Sequence, residues 1–430
     1  MSPTKCVAPP AAPPAAPPAA PLAAPPAAPL ARPTSLESAP PRSLTWRRSG
    51  ATAGADVHLM VTVPGVSGRV GGAAIEAAHE ALAAGLEEAG ATLDDVCAEW
   101  LCSALPTDFA RADAARERLR GRHPEWHGYA PISFPLLQSP CDGGVGLVWR
   151  VIAQVPGRAR GGSAREAAGE ARVRRAGVPG RDELWAGVVF ERGGEHGDFA
   201  GEAFAVFARA GALLEANGLS WRDVARTWLY LADIERDYAI LNRVRRRFFH
   251  EHGVAIAPAS TGIEARGCDD GSRLMLGLHA APCDRAFGWH PLSAPTLNEA
   301  PSYGSDFSRA AAISRREGQI VHLSGTASID EHGRSVKVGD VAGQAGRMLA
   351  NVRALLSAAR LELEDVLSAM SYLRDRRSVA AYRAALHAHG FPDVPHAVVE
   401  GRVCRPELLC EIELVAAPGR SAAGERGNSR

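Results

Sequence analysis

Near its C-terminus the chain reads "VVEGRVCRPELLCEIELVAAP", a strand, a tight turn and a second strand carrying two carboxylates, Glu411 and Glu413. A carboxyl group in a partly dry interface keeps its proton to near-neutral pH and can serve as a general acid. Cys404, seven positions before Glu411, opens the turn with a thiol. Side chains on a strand alternate between faces. Cys410, Ile412 and Leu414 therefore share a face suited to packing under helices. Leu409, Glu411, Glu413 and Val415 share the other, toward a neighbouring layer. The residues alone leave two roles open for Glu411: proton donor, or partner of an arginine across an interface.

In "DVARTWLYLAD" the same alternation puts Arg226, Trp228 and Tyr230 on one face, and in "DVLSAMSYLRD" it puts Ser368, Met370 and Tyr372 there. A guanidinium fork with phenol hydroxyls suits a carboxylate-bearing ligand, and an ion-paired strand face is the alternative. "APASTGIEARG" offers the hydroxyls of Ser260 and Thr261, a close backbone approach at Gly262, and Arg266. Arg405, beside Cys404, completes the candidate binding set. Tyr303, Ser308 and Arg309 in "SYGSDFSRA", and Ser324, Gly325 and Thr326 in "HLSGTASID", are further candidates at strand ends. His250 with His252, and His387 with His389, each stand two apart before a glycine, a helix C-cap pattern rather than a metal site. There is no HExxH, P-loop or Rossmann fingerprint.

These residues need elements to hold them, and the chain supplies the same elements three times. "AGLEEAGATLDDVCAEWLCSAL", "ALLEANGLSWRDVARTWLYLAD" and "ALLSAARLELEDVLSAMSYLRD" superimpose without gaps, aligning Asp95, Asp223 and Asp365. Each reads as an amphipathic helix, a short loop and a strand. "CDGGVGLVWRVIAQVP", "CDDGSRLMLGLHAAP" and "CRPELLCEIELVAAP" align Cys141, Cys268 and Cys404. At the Glu411 position the other copies have Met275 and Val148, and at the Glu413 position Gly277 and Arg150. The sheet itself therefore does not require acids there. Each unit predicts a β-hairpin, a helix, a strand, a second helix and a closing pair of strands, an α+β sandwich with helices on one face of the sheet. The bare faces of three such sheets can cover one another around a pseudo-threefold axis, making a built-in trimer and hence a monomeric chain.

The expected limits are 44–155, 181–285 and 290–417 for the units, with 156–180 a linker or hairpin insertion. The Pro/Ala-rich residues 1–43 and the tail 418–430 are expected to be disordered. Net charge is zero, so nothing global attracts nucleic acid or an anionic membrane, and an anionic ligand needs locally placed arginines. No apolar run approaches the roughly 20 residues of a membrane span. Eight dispersed cysteines without a CxxC pair, and a first segment lacking the regions of a signal peptide, predict reduced thiols and a cytoplasmic protein.

The third unit resembles the RidA (YjgF-like) deaminase family in "APSYGSDFSRA", "HLSGTASID", "SAMSYLRD" and "LLCEIELVAA". That resemblance implies an α+β sandwich assembled as a trimer with active sites between units. Its imine-hydrolysing members have an arginine fifteen positions before the glutamate matching Glu411. His396 stands there, which argues against deaminase activity. Over roughly residues 45–417 the chain is more similar to the chorismatases, in "DVARTWLYL", "NRVRRRFF", "PASTGIEARG", "FSRAAAI", "LSGTASID" and "VCRPELLCEIE". This resemblance implies cofactor-free removal of the enolpyruvyl group of chorismate as pyruvate, with Glu411 as the acid. Cys404 then occupies the position of a cysteine found in members that make 3-hydroxybenzoate. Three products stay open: 3-hydroxybenzoate, a mixture with 4-hydroxybenzoate, or a dihydroxycyclohexadiene carboxylate. An imine hydrolase and a non-catalytic binding protein are the competing readings.

Overall fold

The computed structural model describes residues 43–419 and 423–427, except 51–53, 67–68, 125–128, 130, 156–170, 179–180, 190–196, 268–270, 284–287, 301–303 and 316–317. The expectations for the Pro/Ala segment, for Cys268 and for Tyr303 lie outside the described residues. The first sheet holds β1 (Ser43–Arg48), β2 (Asp56–Pro64), β3 (Val96–Ser103), β4 (Ile132–Leu137) and β5 (Val145–Gln154), with helices α1 (Gly72–Glu88) and α2 (Pro106–Arg122). The second holds β6 (Ala171–Val178), β7 (Arg181–Val189), β8 (Val224–Leu231), β9 (Ala259–Glu264) and β10 (Leu274–Ala280), with α3 (Phe199–Ala216) and α4 (Ile234–Glu251). The third holds β11 (Trp289–Leu292), β12 (Ala310–Arg315), β13 (Gly318–Ala327), β14 (Val366–Leu373), β15 (His396–Glu400) and β16 (Cys410–Ala416), with α5 (Val341–Ala358) and α6 (Val379–Ala388). The strand orders are β1-β2-β5-β3-β4, β6-β7-β10-β8-β9 and β11-β12-β13-β16-β14-β15. All three have the order hairpin, closing strand, first crossover strand, second crossover strand. The threefold α+β architecture read from the repeat is therefore present.

The aspartates shared by the repeats have a local role. Asp95, Asp223 and Asp365 each accept the backbone N–H three residues earlier, at Thr92, Ser220 and Glu362, over 2.8–2.9 Å. Each bond closes a one-turn helix that turns the chain from helix into strand, a capping-box arrangement. His252 and His389 occupy the helix C-caps ahead of Gly253 and Gly390, at φ +62° and +68°. This is the capping role expected, and no metal-binding cluster occurs among the described residues.

Residues 171–178, within the stretch expected as a linker or hairpin insertion, form β6, which pairs along β7 as a hairpin. Residues 423–427, expected to be disordered, form β17 (Ala423–Gly427), which pairs with the open edge of β1. An edge strand offers unpaired backbone groups, and a further strand satisfies them.

One hydrophobic core runs through all three units. It joins Met60, Trp100 and Phe134 to Trp185, Trp228 and Ile263, and these to Tyr372, Ile412 and the inner faces of α5 and α6. An ion cluster spans the same junction. Arg315 of the third unit bonds Asp56 of the first at 2.5 Å and Glu183 of the second at 2.6 Å. His279 adds a 2.7 Å contact to Glu183. Burial pushes both carboxyls up. At Glu183, Arg315 and His279 overcome this and hold it down at about 2, whereas at Asp56 burial prevails and the acid stays raised. Replacing Arg315 with Met leaves two buried acids without their cation. The expected loss is about 3–5 kcal/mol, measured as a lower urea midpoint at unchanged slope.

Candidate active site

Strand β16 runs between β13 and β14. Its residues Cys410, Ile412 and Leu414 enter the core shared with α5, as alternation requires. Glu411 and Glu413 face the other units, and their surroundings differ sharply. Glu413 is 1% exposed and tied on every side: to Arg150 Nη1 at 2.9 Å, Arg226 Nη2 at 2.7 Å and Trp228 Nε1 at 3.1 Å. It binds the three units together. Glu411, 5% exposed, reaches a pocket instead. Burial first, and then the charge of Glu413, raise its carboxyl from 4.5 to about 8, against the pull of Arg226 and Arg309. Glu411 is therefore an acid that still holds its proton at pH 7.

The pocket lies between the second and third units. Its wall includes Tyr238, Arg245, Ser260 and Gly262 from the second, and Phe307, Arg309, Gly325, Cys404, Arg405 and Glu411 from the third. Arg245 and Arg309 both lie over the Phe307 ring, with guanidinium carbons 5.7 and 5.3 Å from its centroid. Each is held by a fixed oxygen: Arg245 donates to Asn242 Oδ1 at 2.7 Å, and Arg309 to the Asn298 carbonyl at 2.7 and 2.8 Å. Arg405 donates to the Gly333 carbonyl at 2.6 Å. Three positioned guanidiniums beside a protonated acid make a cationic cleft, suited to an anionic ligand. Ser260 receives Thr227 Oγ1 at 3.0 Å and Arg245 Nη1 at 3.4 Å. Its backbone N–H donates to Ser324 Oγ at 2.8 Å, which fastens β9 to β13 across the seam. The Cys404 thiol is pushed up to about 12 by burial and by Glu411, and it hydrogen-bonds with Tyr238. It stays neutral, and a neutral thiol is a poor nucleophile.

Of the ten residues in the catalytic and binding set named from sequence, the structure brings Glu411, Cys404, Arg405, Ser260 and Gly262 to this pocket, and Arg309 and Gly325 from the further candidates join them. The other five do not line it. Arg226 is consumed by Glu413 and Thr261. Tyr230 accepts from Trp100 Nε1 at 2.7 Å within the core. Tyr372 is fully buried in the same core. Thr261, 1% exposed, is packed away with Arg226. Arg266 is exposed and bonds the Ala232 carbonyl at 3.5 Å. The predicted strand faces are correct, but at this seam bulky aromatics fill the space opposite them. Arg245 and Tyr238 were not singled out from sequence. Both share the inward stripe of α4, with Ile234, Leu241 and Phe248 at helical spacing. That periodicity was the available signal.

His396 bonds Ser371 Oγ at 2.7 Å, and burial pushes its imidazole down to about 3. It does not line the Glu411 pocket. The strand registers make Ser260 its counterpart in the second unit, since Thr227 pairs with Ser260 as Ala369 pairs with His396. Ser260 is therefore the residue at that position that faces Glu411, and it too is not an arginine.

The comparisons agree with this architecture. The family model described as Endoribonuclease L-PSP matches residues 298–418. A RutC family protein of Pyrococcus horikoshii is 30% identical over 103 residues, 24% of this chain and 81% of that protein. A 3-hydroxybenzoate synthase of Streptomyces hygroscopicus is 29% identical over 229 residues, 47% of this chain and 65% of the synthase. The match thus spans just under two thirds of that relative. The crystal structure of a chorismatase superimposes with a TM-score of 0.57 at 21% identity, covering 75% of this chain and 93% of the other. The chain belongs to the RutC family. It carries the RidA-like unit three times over and shares the fold of that chorismatase. No helix among the described residues is long and apolar enough to cross a membrane.

Proposed function

We propose that this chain is an enzyme that cleaves the enolpyruvyl ether of chorismate to pyruvate and a hydroxybenzoate, with 3-hydroxybenzoate as the main product. The observation that carries the reading is Glu411, a buried carboxylic acid raised to about 8 at the wall of an arginine-lined pocket. Chorismate is a dicarboxylate, and Arg245, Arg309 and Arg405 provide the cations its two carboxylates need. The similarity to a 3-hydroxybenzoate synthase supports the choice of product.

The chemistry follows from the state of the acid. The enol ether is electron-rich at its methylene carbon, and the Glu411 proton is transferred there, leaving an oxocarbenium-like centre. Attack by the neighbouring ring hydroxyl then permits cleavage of the C–O bond to the ring, and pyruvate departs. The ring loses a C–H proton as it becomes aromatic, and that proton restores Glu411. Pyruvate and hydroxybenzoate together contain the atoms of chorismate, so no water, metal or organic cofactor enters the balance. Attack by water instead gives the dihydroxycyclohexadiene carboxylate. The neutral Cys404 thiol, held by Tyr238, lies where it can favour the internal hydroxyl over water. The chain acts as a single copy, with its units supplying one another's pocket walls.

The test is incubation with chorismate, a coupled assay for pyruvate and chromatography of the ring product. Pyruvate and 3-hydroxybenzoate in equal amounts are expected. Ammonia released from an enamine substrate, with no turnover of chorismate, would replace this reading with imine hydrolysis. Changing Cys404 to Ala should divert product toward the diene diol without abolishing pyruvate release.

A further inference from the structure

The three hairpins provide an internal control on what makes one seam reactive. In the first unit β2 pairs with β5 without interruption from Leu59 to Thr62. In the second, β7 pairs with β10 without interruption through Ala186, Gly187, Val188 and Val189. In the third, the pairing of β13 with β16 jumps: Leu323 faces Leu414, but Thr326 faces Ile412. Two residues of β13 therefore stand opposite Glu413 alone, which is a β-bulge of one extra residue. By register, Leu323 matches Leu59 and Ala186, and Thr326 matches Val61 and Val188. One residue of the Ser324–Gly325 pair has no counterpart in either sister unit.

Gly325 of this bulge lies against Glu411. A Cβ at Gly325 would stand 2.0 Å from Glu411 Oε1 and 2.8 Å from its Cδ, with Thr261 Cγ2 at 3.4 Å closing the other side. Gly325 is not among the residues with positive φ. The demand for glycine is thus one of room, not of backbone conformation. Its neighbour Ser324 is fully buried, accepting the Ser260 N–H from the second unit at 2.8 Å and donating to the Ser308 carbonyl at 2.5 Å. One residue of the bulge anchors the seam, and the other leaves space in it.

We propose that Gly325 is a positioning residue: the one-residue bulge in β13 creates the recess in which the Glu411 carboxyl is held, so that the bulge and the acid together define the reactive seam. This rests on the reading of Glu411 as the proton donor. Any side chain at position 325 pushes the carboxyl out of its recess, toward Arg309 and the open pocket. There the acid would lose both its aim and part of its burial.

The test is a double-mutant cycle of Gly325→Ala with Glu411→Ala, read by pyruvate release and by thermal unfolding. Gly325→Ala alone is expected to lower kcat at least about 100-fold, the scale of a misplaced general acid. It should also move the loss of activity at high pH to lower pH. In the Glu411→Ala background, where the colliding carboxyl is gone, adding Gly325→Ala should leave Tm unchanged. A drop in Tm of the same size in both backgrounds would show that the glycine serves the strand and not the acid, and would overturn the proposal. So would a Gly325→Ala protein with the pH profile and kcat of the parent. If the parent protein itself releases no pyruvate, the assigned reaction fails, while the Tm cycle still decides whether Gly325 makes room for Glu411.

Discussion

Glu411→Gln is expected to lower pyruvate release by about 10²–10⁴-fold, the usual contribution of a positioned general acid, while leaving the fold intact. An amide has nearly the same shape but no proton to give. The pH dependence has a definite sign. The active form of Glu411 is the protonated one, and its pKa stands at about 8. Activity of the parent should therefore persist through neutral pH and fall tenfold per unit above about pH 8. The same shift makes the substitution stabilising under alkaline conditions. Because the folded pKa lies above the ordinary 4.5, the folded state binds this proton more tightly than the unfolded chain does. Its stabilising effect is complete below 4.5 and is lost as pH rises through about 8. The Gln variant has no such loss. It should overtake the parent in alkaline urea titrations by on the order of a few kcal/mol, since each pKa unit corresponds to about 1.4 kcal/mol. A buried acid with a raised pKa is thus kept at a cost in alkaline stability.

Glu413→Leu should damage the structure as strongly as Glu411→Gln damages the chemistry. Glu413 is the anion between Arg150 of the first unit and Arg226 of the second, each at most 2% exposed. Removing it leaves two guanidiniums buried without their counter-charge, and breaking such a pair from one side typically costs about 3–5 kcal/mol. Loss of cooperative folding, or a markedly lower denaturant midpoint, is the expected result. The more conservative Glu413→Gln keeps hydrogen bonds while removing the charge, and it separates the two roles of this residue. Since the Glu413 charge helps to raise Glu411, the alkaline fall in activity should move below pH 8 in this variant. A variant with the parent's stability and pH profile would contradict the account of the junction. Two glutamates two residues apart on one strand face thus do opposite work. In the proposed function one is the neutral acid of the pocket, and the other is the ion-paired tie between units.

Much of this was legible in the chain, for identifiable reasons. The repeats carry the threefold architecture because each unit needs the same turn-closing aspartate and the same alternation along its strands. Comparison of the copies singled out Glu411, since Met275 and Val148 show that the fold does not require an acid there. Side-chain alternation correctly put Arg226, Tyr230 and Tyr372 on faces directed at other units. It could not tell an open seam from a filled one, because that depends on what lies opposite. Here Trp100 and Phe134 arrive from the first unit and fill the space. Arg245 lay within reach of a helical-periodicity reading, but among the neighbouring arginines of "NRVRRRFF" its inward direction emerges only when the α4 stripe is followed through Leu241 and Phe248. His396 was compared within its own unit, whereas the pocket joins β16 to β9 of another, so the relevant residue was Ser260. The bulge at Gly325 left no mark in composition or alternation. A single inserted residue becomes visible only when strand registers are compared. The strand at 423–427 escaped notice because its partner is a backbone edge, which recruits without regard to side chains.

The proposed chemistry requires Glu411 to remain a neutral carboxylic acid at physiological pH. The most direct measurement is the infrared difference spectrum between the parent protein and Glu411→Gln, followed across pH. A protonated carboxyl C=O band assigned to Glu411 at pH 7, titrating away near pH 8, is the result this account predicts. A carboxylate band from the same residue at pH 6, with no protonated form above its ordinary range, would contradict it.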